Sequence, residues 1–142
     1  MTKIAKGFTL IELLVVIVII GILATLATVT LGSARSKARD ARRISDVKQI
    51  QTAAELYYND ASGYPQVTSV TAGNAMLYNG VTYMARVPGN ASPGDDGSCG
   101  TDTTYIYATQ GTGTSYTLIY CLGGTTGSIA AGTHTATPAG IQ

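Results

Sequence analysis

From Leu13 to Leu31 the chain runs through 19 residues without a charge or a proline. As an α-helix rising ~1.5 Å per residue, this run spans roughly 28 Å, close to the hydrocarbon thickness of a bilayer. Valine and isoleucine are mediocre helix formers in water. In lipid, however, a backbone must satisfy its own hydrogen bonds, so helix is the expected state. The rest of the chain is made differently: 14 of the 17 glycines, all four prolines and both cysteines lie after residue 62. The first third is therefore uninterrupted, apolar and then charged. The remainder is loop-rich, with Thr and Gly enriched from Thr101 to Thr137 and no internal repeat. A total of 142 residues suffices for one small domain plus an attached element.

Three kinds of segment share such a run: a secretory signal, a permanent membrane anchor, and a precursor helix that sheds a short leader. Gly32-Ser33-Ala34 could end a secretory signal, but the run is longer than the ~7–15 apolar residues usual there. Glu12 separates the other two. A carboxylate inside Phe8-Thr9-Leu10-Ile11-Glu12-Leu13-Leu14-Val15-Val16 costs a few kcal/mol in lipid unless it is paired or near the interface. A plain anchor has no use for it beyond snorkelling to the headgroups. If the chain is cut after Gly7, Phe8 gains a free amine four residues from Glu12. At ~4 Å and an effective dielectric of ~20, amine and carboxylate attract by about 4 kcal/mol before desolvation is counted.

Lys6-Gly7-Phe8-Thr9-Leu10-Ile11-Glu12-Leu13 closely resembles the class III signal sequence of type IV pilins and type II secretion pseudopilins. The resemblance implies cleavage between Gly7 and Phe8 by a prepilin peptidase, N-methylation of Phe8, and a role for Glu12 in recruitment into a filament by inner-membrane assembly machinery. Phe8 is the only phenylalanine of the chain, which fits a position-specific demand. The sequence departs from many relatives at Val29, near which they carry a proline that lets the helix unwind on assembly. The Lys/Arg bias also runs the other way. Only Lys3 and Lys6 precede the span, whereas Arg35, Lys37, Arg39, Arg42 and Arg43 follow it, which by itself would keep the following domain in the cytoplasm. The motif and the cysteine pair place it outside.

Beyond Leu31 the pattern turns amphipathic. Ala34, Ala38, Ala41, Ile44, Val47, Ile50, Ala54 and Tyr57 recur at spacings of three or four, one helical stripe with the charges expected on the opposite face. The helix is predicted to run from Phe8 to Tyr58, roughly 77 Å, and to stop at Asp60-Ala61-Ser62-Gly63 with Gly63 as a left-handed cap ahead of Pro65. A C-terminal domain of some 80 residues cannot bury a helix of that length. Its apolar half must be covered by lipid or by copies of itself.

Residues 35–58 hold six cations against three carboxylates, while residues 59–142 hold Arg86 against Asp60, Asp95, Asp96 and Asp102. Either these are ordinary solvated surfaces, or the basic rod of one subunit attracts the acidic head of another. The basic run is also a possible nucleic-acid contact, although no stacking aromatics lie within it. In the head, Thr103–Thr109 and Ser115–Leu122 read as a hairpin linked by Gln110-Gly111-Thr112-Gly113-Thr114. A helical turn is expected around Asn74–Tyr78, and the tail from Gly123 either wraps the head or stays mobile.

Cys99 and Cys121, an even pair in an exported domain, read as a disulfide closing a loop worth about 3 kcal/mol. Asp95, Asp96 and Asp102 are possible calcium ligands, though without the spacing of an EF-hand loop. Asn90-Ala91-Ser92 matches a glycan acceptor pattern. Asn59 to Pro65, after Tyr57-Tyr58, resembles the helix-to-loop junction of major pseudopilins. No acid, base and nucleophile assemble around His134, the sole histidine, so no enzyme and no cofactor are expected.

The expected fold is α+β: a long N-terminal helix, first transmembrane and then amphipathic, packed on a small antiparallel β-sheet head. The expected divisions are a leader at 1–7, a membrane and filament-core helix at 8–34, an amphipathic rod at 35–62 and the head at 63–142. The expected function is that of a structural subunit of a type IV pilus-like filament, a homo-oligomer stored in the membrane as a single-pass protein before assembly. Its location after assembly would be a surface or periplasmic filament. The alternatives are a major pseudopilin of a type II secretion system and a non-polymerising, membrane-anchored binding module such as a DNA-uptake receptor.

Overall fold

A computed structural model describes residues 7–94, 96–100 and 104–141. The chain forms two compact units, residues 1–35 and 36–142, which share one helix, α1, Leu10–Ala61.

In the first unit α1 is uninterrupted, as a segment without proline allows. Its best 18-residue window has a mean hydropathy of 3.0, long and apolar enough to cross a membrane. The three threonines of this stretch turn their hydroxyls back on the helix itself. Thr25 donates to Ile22 O (2.8 Å), Thr28 to Ala24 O (2.9 Å) and Thr30 to Leu26 O (2.9 Å). A side chain satisfied in this way can enter hydrocarbon without leaving a polar group bare.

In the second unit the rod of α1 lies against a four-stranded antiparallel sheet in the order β3-β4-β5-β6. Its strands are β3 Ile106–Gln110, β4 Ser115–Leu122, β5 Gly132–Thr137 and β6 Gly140–Ile141. A separate hairpin joins β1 Met76–Tyr78 to β2 Val81–Met84. The β3–β4 hairpin falls where the sequence put it, with Tyr107 opposite Leu118 and Gln110 opposite Ser115. Along β4 the alternate residues Tyr116, Leu118, Tyr120 and Leu122 are buried, and they meet Val47, Ile50, Ala53 and Ala54 of α1 in one core. Much of that core is tyrosine: Tyr107 stacks on Tyr116 at 5.2 Å, and Tyr64 meets Tyr116 edge-on at 4.8 Å. Rings of this size bury large apolar areas in a chain without tryptophan.

Four expectations are corrected. The turn at 74–78 is strand, because Asn79 and Gly80 both take positive φ (47° and 80°) and close a two-residue hairpin. The tail is neither wrapping coil nor loose end but supplies β5 and β6, pairing Ile119 with Thr135 and Ala136 with Ile141. The left-handed residue after α1 is Ser62 (φ 55°) and not Gly63, with Ser62 N donating to Tyr58 O at 2.8 Å. The buried stripe of the rod is also rotated from the predicted one. Val47, Ile50 and Ala54 are inside, but Ala34, Ala38 and Ala41 are exposed, and Asp40, Arg43 and Asp46 take the inward places.

Candidate functional site

Gly7, Phe8 and Thr9 precede the first turn of α1 and are exposed. The helix starts at Leu10 because Thr9 and Glu12 cap it reciprocally. Glu12 N donates to Thr9 Oγ1 (3.3 Å), while the Glu12 carboxylate oxygen Oε2 accepts from Thr9 N (2.8 Å) and Thr9 Oγ1 (2.7 Å). This is a capping box, and Thr9-Leu10-Ile11-Glu12 spells it in the sequence. This local role of Glu12 stands beside the charge pairing and the recruitment considered for it above. The capping interaction holds the carboxylate at the N-terminal end of the helix, where unpaired backbone N–H groups favour negative charge. Phe8, Ile11, Glu12, Val15 and Val16 line a shallow notch in which that carboxylate is the one charge.

A second constellation lies in the head. Arg43 and Asp40 are essentially without solvent exposure, yet they carry opposite charges and bond each other, Nη1 to Oδ1, at 2.6 Å. Burying such a pair costs several kcal/mol per ion unless the remaining donors and acceptors are met, and here they are. Arg43 also donates through Nε to Asn90 Oδ1 (2.9 Å), through Nη2 to Pro93 O (3.3 Å) and through Nη1 to Asp96 Oδ2 (3.4 Å). The Asp40 oxygens accept from the backbone N–H groups of Gly123 and Gly124, both at 2.8 Å. Arg39 grips Asp96 with two parallel bonds, Nε to Oδ2 at 2.6 Å and Nη2 to Oδ1 at 2.9 Å, and Ser36 adds a third at 3.2 Å. Two guanidinium groups and two carboxylates make the cluster neutral. The Arg39 guanidinium, helped by Ser36 and Arg43, holds the Asp96 carboxyl below the usual carboxylate range despite its burial, and Asp96 in turn raises Arg39.

The loop that presents Asp96 is sewn to the end of β4. Cys99 and Cys121 are joined as a disulfide, Ser98 N donates to Gly123 O (2.9 Å), and Cys99 N to Asp96 O (3.0 Å). Gly123 has to be glycine, since a Cβ there would stand 2.4 Å from Asp96 O. Asp96, considered above as a calcium ligand, is thus engaged by arginines; Asp95 and Asp102 lie outside the described residues. Asn90, the candidate glycan acceptor, gives its amide oxygen to Arg43. Of the five cations considered for nucleic acid, Arg39 and Arg43 are turned into the fold. Arg42 makes only a long surface pair with Asp46 (3.7 Å), the kind worth little. Charges of opposite sign on rod and head therefore meet first within one chain. The signal for this was the spacing Arg39, Asp40, Arg43, Asp46, which puts all four near one helical face, but nothing local says that the face turns inward.

At the junction after α1, Tyr64 is buried, donates its hydroxyl to both Glu55 oxygens (2.9 and 3.1 Å), and bonds Gly113 O through its backbone N–H at 2.8 Å. Burial and the Glu55 carboxylate raise the Tyr64 phenol far above its ordinary value.

Residues 2–28 match the family model described as the prokaryotic N-terminal methylation motif. No curated protein and no solved structure matches the chain. The motif at the head of an exposed apolar helix fits a membrane-anchored precursor and is consistent with a subunit of the type IV pilin/pseudopilin type.

Proposed function

We propose that the chain is a structural subunit of a type IV pilus-like filament. In this reading the leader 1–7 is removed at Gly7–Phe8, Phe8 is methylated, and the helix 8–34 leaves the membrane to pack with copies of itself. One observation carries the reading: every large hydrophobic residue from Phe8 to Leu31 is exposed. A surface of that extent needs a cover, and lipid before assembly and neighbouring subunits afterwards supply it. Glu12 would serve recruitment by meeting the new amine or a cation of a neighbour.

Mass spectrometry of the N-terminus of protein purified from its host tests the reading, together with recovery of sheared filaments. A start at methylated Phe8 with filaments that vanish in Glu12→Ala is expected. A start at Met1, or filaments unaffected by Glu12→Ala, would sink it.

A further inference from the structure

Beside the rod, the β1–β2 hairpin leaves an open groove of about 600 Å3. It is lined by the small residues Ala41, Ser45 and Ala53, by Ile44, Leu56 and the Tyr83–Met84 end of β2, and by the polar Gln49 and Thr52. Ala41, Ser45, Gln49, Thr52 and Leu56 are exposed, so this side of the fold is uncovered, with apolar and polar residues interleaved. Lys48 is the single charged residue lining it, and among the described residues its ammonium has no carboxylate partner.

The same chain holds the complement of this surface. The N-terminal stretch of α1 is apolar and uncovered, and from Phe8 to Leu31 its single charge is Glu12. Thr9 occupies Oε2 of that carboxylate, and among the described residues Oε1 accepts no hydrogen bond. A helix that needs cover and carries one carboxylate, and a groove that carries one cation, are complementary in charge. Small residues in the groove lining let a helix backbone approach closely, the usual condition for tight helix packing where lipid is the competitor. The cation offsets part of the penalty of enclosing the carboxylate.

We infer that this groove receives the N-terminal helix of a second copy of the chain, with Glu12 of that copy against Lys48. The contact joins two different patches of one protein. Such heterologous contacts propagate instead of closing on themselves, so each docked helix leaves another groove open for the next. The inference rests on the filament reading and names the surface that the reading leaves unspecified.

The test is made in the full chain, assembled in its host, with Ile11→Cys combined with Gln49→Cys at the groove or, as control, with Thr133→Cys on β5. Oxidation of sheared filaments is expected to give a ladder of linked chains at least tenfold stronger for the Gln49 pair. Filaments that form but link no better through position 49 than through position 133 overturn the docking and leave the filament standing. Absence of filaments from the unsubstituted chain overturns both. Charge supplies a second route. Lys48→Glu should cut filament yield at least tenfold and Lys48→Arg should preserve it, with the melting temperature of the detergent-solubilised protein unchanged in both. Undiminished filaments from Lys48→Glu would refute the proposal.

Discussion

Residues 10–35 and 36–61 belong to one helix yet obey opposite rules. The first stretch is built from leucine, isoleucine and valine and exposes all of them; Ile19 keeps 51% of its surface. The second is studded with charges and buries several of them completely, while Ile50, at 1%, joins them inside. In water alone this would be an inverted protein. The inversion is resolved by asking what each stretch is next to. The first is exposed along its whole length, and in the proposed reading its cover is lipid or other copies. The second has a head, and its charges are addressed to that head: Arg39 and Arg43 to Asp96, Asp40 to the amides of Gly123 and Gly124. Along the second half of this helix, hydrophobic residues and paired charges together meet the helix's own domain.

Substitutions can break that contrast. The largest effect is expected from Arg43→Met, which leaves Asp40 buried without its cation and should cost about 3–5 kcal/mol, read by urea unfolding of the detergent-solubilised chain through its tyrosine signal. Next comes a matched pair. Ile50→Ala should lose about 2–5 kcal/mol of head stability, whereas Ile19→Ala should leave it unchanged, because Ile19 is exposed and lies outside the core that holds Ile50. Equal effects from the two would erase the distinction.

Asp96→Asn should cost about 1.5–3 kcal/mol, the range for hydrogen bonds to a charged group, and should alter the acid limb of stability. Because Arg39 depresses the Asp96 carboxyl, its contribution is complete above the ordinary carboxylate value of ~3.9 and is lost as pH falls through the lower folded value. The variant should therefore lose less than the parent between about pH 4 and 2, measured by melting temperature against pH. Thr9→Ala should have the smallest effect, about 1 kcal/mol, confined to the first turn and seen as faster amide exchange at Leu10–Leu13 with no change in the head.

Much of the architecture was legible because it follows from local physics. Nineteen uncharged residues had to be helix in lipid, and tyrosine-, threonine- and isoleucine-rich runs around a glycine turn had to be a hairpin. Two local signals were present and passed over: Asn79-Gly80, which makes residues 76–84 a hairpin, and Thr9-x-x-Glu12, which caps α1. The strands of the tail were harder to read, since Gly132–Thr137 has little hydrophobic alternation and earns its place by pairing with β4.

By itself the sequence determined the bilayer-length helix, its carboxylate and leader motif, and the β3–β4 hairpin, because each depends on residues within a few positions of one another. Only the tertiary structure decided which face of the rod turns inward. A periodic pattern shows that a helix has two faces. Which one is buried depends on Asp96, Gly123 and Gly124, some 50 to 80 residues away in sequence, whose matching charges and amides offset the cost of burying Arg43 and Asp40.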